Sequence, residues 1–317
     1  METYKPIVSV VIISLNHAEF VYETIDPIIT QTYSPLEIIV MDGGSTDGTV
    51  AKLAKYPTVR VISEKDDGPI DALTKGLHYS RGDYVLFQLM SDGLTDTEWI
   101  SKCVDQLTAD TTLSLCWGHV QLLRSNGEIE PHAIKYWRKR NPRDIEFGIL
   151  DWLIYGVGFH ETNMIMRRSI AERIFSDFHK LARGDDIFHY FPDAFHKIGY
   201  LAKFIPSFAS FSRVHSGQLS SRELTSGIRN SYATKHRRRI GEMRRKILFS
   251  NYDHEFIDRS GSVVETLRLS ISSRIWLALS ILNAQSRYTF WEVVNWITTL
   301  IRIVILKVST VRVNRQT

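Results

Sequence analysis

With 317 residues, 44% apolar and 23% charged, the chain has a globular composition and room for one large domain plus an appendage. Two cysteines, Cys103 and Cys116, exclude a disulfide framework and lack metal-ligand spacing, which leaves them as reduced core thiols. Of the net charge of +4, residues 235–246 carry +6 and 247–317 carry +3, so the first 234 residues sum to −5. An acidic body with a basic tail directs that tail toward an anionic surface. The opening residues 1–6 have no basic and apolar leader, and a cleaved signal peptide is not expected.

Val8 to Ile13 is a β-branched run ending at Ser14-Leu15-Asn16-His17, which predicts a buried strand. A helix is expected over 18–31, a strand over 37–41, then the acidic, glycine-rich turn Asp42-Gly43-Gly44-Ser45-Thr46-Asp47-Gly48. A short helix over 49–56, a strand over 59–63, a helix over 70–80 and a strand over 84–89 follow. Strands alternating with helices predict βαβ units and a parallel sheet. The polar turns after the first four strands then share the carboxyl edge, where open α/β sheets bind ligands. From residue 113 the texture changes: 114–123 followed by Asn126-Gly127 reads as a hairpin, and a second βα-like stretch runs to about 212.

Neither G-x-G-x-x-G nor G-x-x-x-x-G-K-[ST] occurs, so dinucleotide and P-loop chemistry are not indicated. The basic run 235–246 lacks aromatic interleaving, which excludes a nucleic-acid partner and favours anionic lipid head groups. Beyond residue 260 the chain is apolar. Over 291–308, Glu292, Asn295, Thr299 and Arg302 fall on one helical stripe, while Arg302 and Lys307 interrupt the run. That pattern suits an interfacial membrane helix or a helix packed on the body or a partner.

Four segments in order carry a family resemblance: V-S-V-V-I-I-S-L-N (8–16), D-G-G-S-T-D-G-T (42–49), D-D-G-P-I-D-A-L-T-K-G (66–76) and G-D-Y-V-L-F-Q-L-M-S-D-G (82–93). Over residues 7–220 the chain resembles family 2 glycosyltransferases, the inverting nucleotide-sugar enzymes of bacterial polysaccharide and lipopolysaccharide synthesis. The resemblance implies an α/β GT-A fold, Rossmann-like, with a mostly parallel sheet, flanking helices and a C-terminal helical basic and amphipathic tail. It divides the chain into a donor-binding half (1–112), an acceptor-binding and catalytic half (113–225) and the tail (226–317).

Asn16 and Glu19, just after the first strand, can meet the base or ribose; the resemblance implies that Asp42, with Gly43 and Ser45, binds the nucleoside, that Asp67 and Asp71 belong to the donor site, and that Lys75 offsets diphosphate charge. Ser91 and Asp92 stand where the family holds Mg²⁺ or Mn²⁺. The family pattern there carries two or three carboxylates; here Met90-Ser91-Asp92-Gly93 keeps one, which weakens the expected site without abolishing it. Gly184-Asp185-Asp186-Ile187-Phe188 resembles the catalytic-base motif, with Asp186 favoured and Asp185 as its neighbour. His215 is a second metal or diphosphate candidate, and His160 and Glu161 face the acceptor.

Each residue also has a plainer reading. Asp42 closes a strand, Lys75 pairs with Asp71 at i, i+4, Asp185 or Asp186 caps a helix, and His215 bonds a loop backbone. Trp137 and Trp152 stack on sugar faces or sit in the core. The function expected is transfer from a nucleotide-diphosphate sugar, UDP-sugar favoured, to a saccharide or lipid-linked acceptor. The expected location is the cytoplasm or the inner face of the cell membrane. The alternative is a catalytically weak or inactive nucleotide-sugar-binding partner in a biosynthetic assembly.

Overall fold

The computed structural model describes residues 4–131, 146–155, 161–176, 187–215, 229–250 and 252–284. Strand β1 (Val8–Ser14) is buried at every position, as a β-branched run between two helical layers must be. A 3₁₀ turn (Ala18–Phe20) leads into α1 (Val21–Ile29), so the expected helix over 18–31 is split and shorter. Next come β2 (Leu36–Asp42), α2 (Thr49–Leu53), β3 (Val59–Ser63), α3 (Pro69–Tyr79) and β4 (Tyr84–Leu89). These four strands are parallel, in the order β3-β2-β1-β4.

Beyond β4 the sheet becomes mixed. The chain continues through β5 (Gly93–Leu94), α4 (Trp99–Ala109), β6 (Leu115–Leu123), β7 (Ile129–Pro131) and α5 (Glu146–Tyr155). A 3₁₀ turn (Glu161–Asn163), β8 (Met164–Arg167), α6 (Arg168–Phe175), α7 (Ile187–Ile198) and β9 (Ala202–Arg213) complete the sheet. Strand β8 lies antiparallel between β4 and β6, β9 runs parallel to β6, and β5 closes the far edge, giving nine strands in one sheet. The Asn126-Gly127 turn joins β6 to an antiparallel β7, with Gly127 at φ +81°.

Period-two alternation divides the strand residues between two cores. Val8, Val10, Ile12 and Leu86 face one side with Val21, Ile25, Trp99 and Trp152. Val11, Ile39 and Phe87 face the other with Leu73, Leu77 and Phe195. Cys103 and Cys116 are buried, unbridged thiols. Trp152 is a core residue whose Nε1 donates to Asp193 Oδ1 at 2.9 Å.

A further layer follows the sheet: α8 (Arg229–Phe249), the hairpin β10 (His254–Ile257) and β11 (Val263–Leu267), and α9 (Ile271–Ala284). Helix α8 carries the basic run, and its two faces differ. His236, Ile240, Met243, Arg244 and Ile247 are buried, whereas Arg237, Arg238, Arg245 and Lys246 are exposed. Arg244 Nε donates to Leu153 O at 2.6 Å, so one cation of the run is a structural tie to α5. Asp193 of α7 is the second tie: His236 Nδ1 lies at 2.8 Å and Arg239 at 3.4 Å. The run is therefore not wholly a surface charge. Residues 291–308 lie outside the described residues; no helix among the described ones is long and apolar enough to cross a membrane.

Gly76 fixes how closely α3 approaches the sheet. A Cβ there would stand 2.3 Å from Val11 Cγ1 and 3.1 Å from Met41 Cγ, and Val11 is locked in the core. Gly76→Ala is expected to lower unfolding stability by about 1–3 kcal/mol in chemical denaturation; unchanged stability would contradict this packing.

Candidate active site

In the order β3-β2-β1-β4 the chain winds outward from β1 in one direction and then returns to its other side. The crevice between the carboxyl ends of β1 and β4 is therefore the topological switch point of the parallel half, the preferred ligand position in open α/β sheets. Ser14 ends β1 opposite Asp42, and Met90 N–H donates to Ile13 O at 3.0 Å on the other flank. The β2 and β4 turns thus border the exit of β1 on either side.

Asp42 is 1% exposed, and its carboxylate is filled from within the chain. Oδ2 accepts from Ser45 N (2.9 Å), Gly44 N (3.2 Å) and Ser63 Oγ (2.7 Å), and Oδ1 from Ser45 Oγ. The turn so closed grips the β1 exit. Ser45 Oγ accepts from Asn16 N (2.7 Å), Thr49 Oγ1 from His17 N (3.1 Å) and Asp47 Oδ2 from Ala18 N (2.8 Å). Asn16 Oδ1 returns the contact by accepting from Thr46 N at 2.9 Å. Asn16 sits at φ +56°, a conformation that asparagine tolerates better than most residues. Glu19 follows, exposed in the 3₁₀ turn.

The Asp66–Asp71 loop abuts this turn. Gly43 lies so close to Asp66 that a Cβ would stand 2.8 Å from Asp66 Oδ2, while Asp66 Oδ1 accepts from Gly68 N at 2.8 Å. Asp67 donates its N–H to Asp71 Oδ2 at 3.0 Å. Lys75 pairs with both Asp71 and Glu64 at 3.0 Å, so the plainer i, i+4 reading is realised and a third charge joins it. Those two carboxylates, Asp71 first, raise the pKa of Lys75. Burial opposes ionisation of Asp71, but the Asp67 N–H and Lys75 outweigh it and hold Asp71 below its ordinary value.

The β4–β5 turn differs from the β2 turn. Asp92 is 1% exposed; its Oδ1 accepts from Arg213 N at 2.9 Å, while its Oδ2 is buried with no hydrogen-bond partner among the described residues. Burial pushes its pKa up to about 7, against the pull of the Arg213 N–H and the Ser212 and Ser91 hydroxyls. Thr24 of α1 anchors the turn by donating to Asp92 O at 2.7 Å. Asp96 is engaged elsewhere, with Lys102 at 2.8 Å and with Ser207.

Arg213, at the end of β9, was given no role from the sequence, yet it ties this end of the site together. Nε donates to Ser91 O at 3.1 Å, NH2 pairs with Glu23, and the guanidinium lies over the Phe20 ring at 4.8 Å. Its one sequence signal was position, two residues before His215. The His215 ring packs on Phe20 at 5.1 Å and on His17 at 5.7 Å, which draws it toward the β1 exit. Glu161 opens the 3₁₀ turn before β8; His160, Asp185, Asp186 and Trp137 lie outside the described residues.

Among the described residues no group of three His, Cys, Asp or Glu side chains could hold a metal ion. The donor set nevertheless fits a divalent cation in one restricted sense. The bare, buried Oδ2 of Asp92 is a hard oxygen ligand, and Mg²⁺ can bind through one carboxylate with phosphate oxygens and water as the remainder.

The chain matches the family described as "Glycosyl transferase family 2" over residues 9–175, more than half of its length. It belongs to glycosyltransferase family 2. Family 2 enzymes use nucleotide-sugar donors and act on polysaccharide or lipid acceptors. The chain is 28% identical over 228 residues to an uncharacterized glycosyltransferase of Haemophilus influenzae, covering 68% of each protein. It is 32% identical over 113 residues to the chondroitin synthase of Escherichia coli, spanning 34% of this chain and 16% of that protein.

Two solved structures share the GT-A fold. The mannosyltransferase PcManGT of Pyrobaculum calidifontis, in complex with GDP-Man and Mn²⁺, aligns with a TM-score of 0.51 at 20% identity, over 74% of this chain and 64% of that one. S. aureus TarS in complex with UDP-GlcNAc gives 0.53 at 14% identity, over 92% and 79%. At these identities the likeness is one of fold.

The elevated pKa of Asp92 has a stability signature. A carboxylate whose folded pKa exceeds its unfolded value binds more protons when folded, so it weakens the fold as pH rises from about 4 to about 7. With EDTA present, Asp92→Asn is therefore expected to gain stability over the parent across that window, by on the order of 2–4 kcal/mol. The gap should be constant below pH 4. A pH-independent difference in parallel denaturation series would refute the buried, half-satisfied carboxylate.

Proposed function

We propose that this enzyme transfers a sugar, with inversion, from a nucleotide diphosphate, UDP favoured, to a saccharide or lipid-linked acceptor. The observation that carries the reading is the convergence at the switch point of the Asp42 turn, the Asn16 exit and the Ser91–Asp92 turn. Their backbone and hydroxyl groups suit a nucleoside on the Asp42 side and a diphosphate between Asn16 and Asp92. Asn16, Glu19, Gly43 and Ser45 then surround the nucleoside. Asp67, Asp71 and Lys75 border the diphosphate, with Lys75 exchanging part of its ion pairing for phosphate oxygens. The nucleotide sugars in the two solved relatives, GDP-Man and UDP-GlcNAc, support the donor class and leave UDP a preference.

Asp92 is the residue that would hold Mg²⁺ or Mn²⁺, which supplies charge neutralisation of the diphosphate when bound; His215 is the second candidate. Transfer itself is a single displacement. The acceptor oxygen attacks the anomeric carbon as the bond to the diphosphate breaks and its electron pair leaves with the nucleotide. A carboxylate takes the acceptor proton, and we assign this to Asp186, with Asp185 orienting it. Both directly precede α7, which Asp193 fastens to Trp152, His236 and Arg239. His160 and Glu161 contact acceptor hydroxyls in this reading, residues 1–112 form the donor half, and 113–225 complete the catalytic domain. The enzyme works at the cytoplasmic side.

A panel of UDP-, GDP- and dTDP-sugars, each with Mn²⁺ or with EDTA, tests donor and metal through nucleotide diphosphate release. A UDP-sugar should give the highest turnover, and EDTA should lower it. With that donor, Asp186→Asn is expected to cut kcat by about 10²–10⁴-fold with little change in donor affinity. Full turnover in both Asp186→Asn and Asp185→Asn would overturn the base assignment; tight donor binding without transfer in the parent would favour a binding partner.

A further inference from the structure

Helix α9 has apolar residues on two opposite faces. Leu277, Ala278 and Ile281 are buried against the body, while Ile271, Ile275, Trp276 and Leu279 are 45, 38, 49 and 57% exposed. At i, i+4, i+5 and i+8 the exposed four fall on one outer stripe, which the small Ser272 shares. The helix's one charged residue, Arg274, is 8% exposed and turned inward, donating to Ser250 O at 2.6 Å and Leu269 O at 3.1 Å. A helix with apolar residues on two opposite faces satisfies one against the body and leaves the other for a second apolar neighbour, and a contiguous exposed apolar patch marks an interaction surface.

Arg274 also says what lies beside the stripe. Its bond to Ser250 joins the start of α9 to the end of α8, and Ser250 N–H in turn donates to Lys246 O at 3.2 Å. Arg245 and Lys246 are exposed there, one turn back from the junction, with Arg237 and Arg238 further along the helix. Glu242, paired with Arg238 at 3.0 Å, is the one exposed acid among them. The helix that bears the uncharged stripe and its tryptophan is thus tied at its start to the end of the helix that bears the exposed cations.

We propose that α9 and the exposed basic side of α8 form one docking surface for an anionic lipid bilayer. The stripe enters the interface between head groups and acyl chains, with Trp276 at the head-group level, while Arg245 and Lys246 meet lipid phosphates. Charge complementarity selects this occupant: a protein partner with an apolar patch alone would leave the adjoining cations unmatched. The surface stands apart from the donor crevice and does not rest on the sugar-transfer reading.

The test uses the full chain in co-sedimentation with vesicles of phosphatidylglycerol and phosphatidylcholine, or of phosphatidylcholine alone, at low and high salt. Binding is expected to the anionic vesicles, at least about tenfold weaker to the neutral ones, and weakened by salt. Two double variants separate the contributions: Trp276→Ser with Leu279→Ser, and Arg245→Glu with Lys246→Glu. Each should weaken binding by about tenfold or more while circular dichroism and donor binding stay unchanged. The sites are exposed, and either pair alone keeps the test decisive should the other misfold. Absence of binding, equal binding to neutral vesicles, or full binding by a folded variant would overturn the proposal. So would a dimer in analytical ultracentrifugation that the Trp276 variant dissolves, which would make a second copy the occupant.

Discussion

The filled carboxylate of Asp42 is the constraint from which the rest of the site follows. Burying a carboxylate is costly unless hydrogen bonds replace its water, and here four donors from Gly44, Ser45 and Ser63 do so. The turn they close presents Ser45, Asp47 and Thr49 as acceptors for the N–H groups of Asn16, Ala18 and His17. Those N–H groups leave β1 where no strand can pair them, and each would cost about 1–3 kcal/mol if buried bare. The direction in which the chain leaves β1, and hence the position of Phe20, is set by a side chain on β2.

From Phe20 the constraint passes across the crevice. Arg213 lies over that ring, pairs with Glu23 and holds Ser91 O, while its own N–H binds Asp92. The last strand of the sheet thereby fixes the turn after the fourth. The two aspartates at the crevice end up in opposite conditions: Asp42 has both oxygens satisfied, and Asp92 has one oxygen buried with no partner among the described residues. A satisfied buried carboxylate holds its turn in shape. A half-satisfied one stores an electrostatic demand that a cation or a proton relieves, which is why the catalytic question concentrates there.

The C-terminal layer repeats the theme with cations. Arg244 is spent on the carbonyls of α5, and Arg239 and His236 on Asp193, so only part of the basic run remains on the surface. The inward side chains fasten α8 to α5 and α7, and the outward cations stay exposed on a helix that Arg274 ties to α9.

The parallel half of the fold was legible in the sequence because its signals are local. A β-branched run such as Val8–Ile13 ending in a polar turn encodes a buried strand without reference to anything distant, and the four motifs carried the family with it. Asp42, Asp71, Lys75 and Asp92 were picked out in the same way. The mixed half was not legible: β8 enters between β4 and β6, a pairing of strands far apart in sequence that no local period specifies. Nor could the sequence divide cations into buried and exposed, find Arg213, or reveal that Lys75 answers Glu64 as well as Asp71. The sequence alone marked which residues are candidates for a nucleotide-sugar site. Only the tertiary structure decided which of their oxygens are already satisfied, because a hydrogen bond between distant residues depends on where the sheet brings them together.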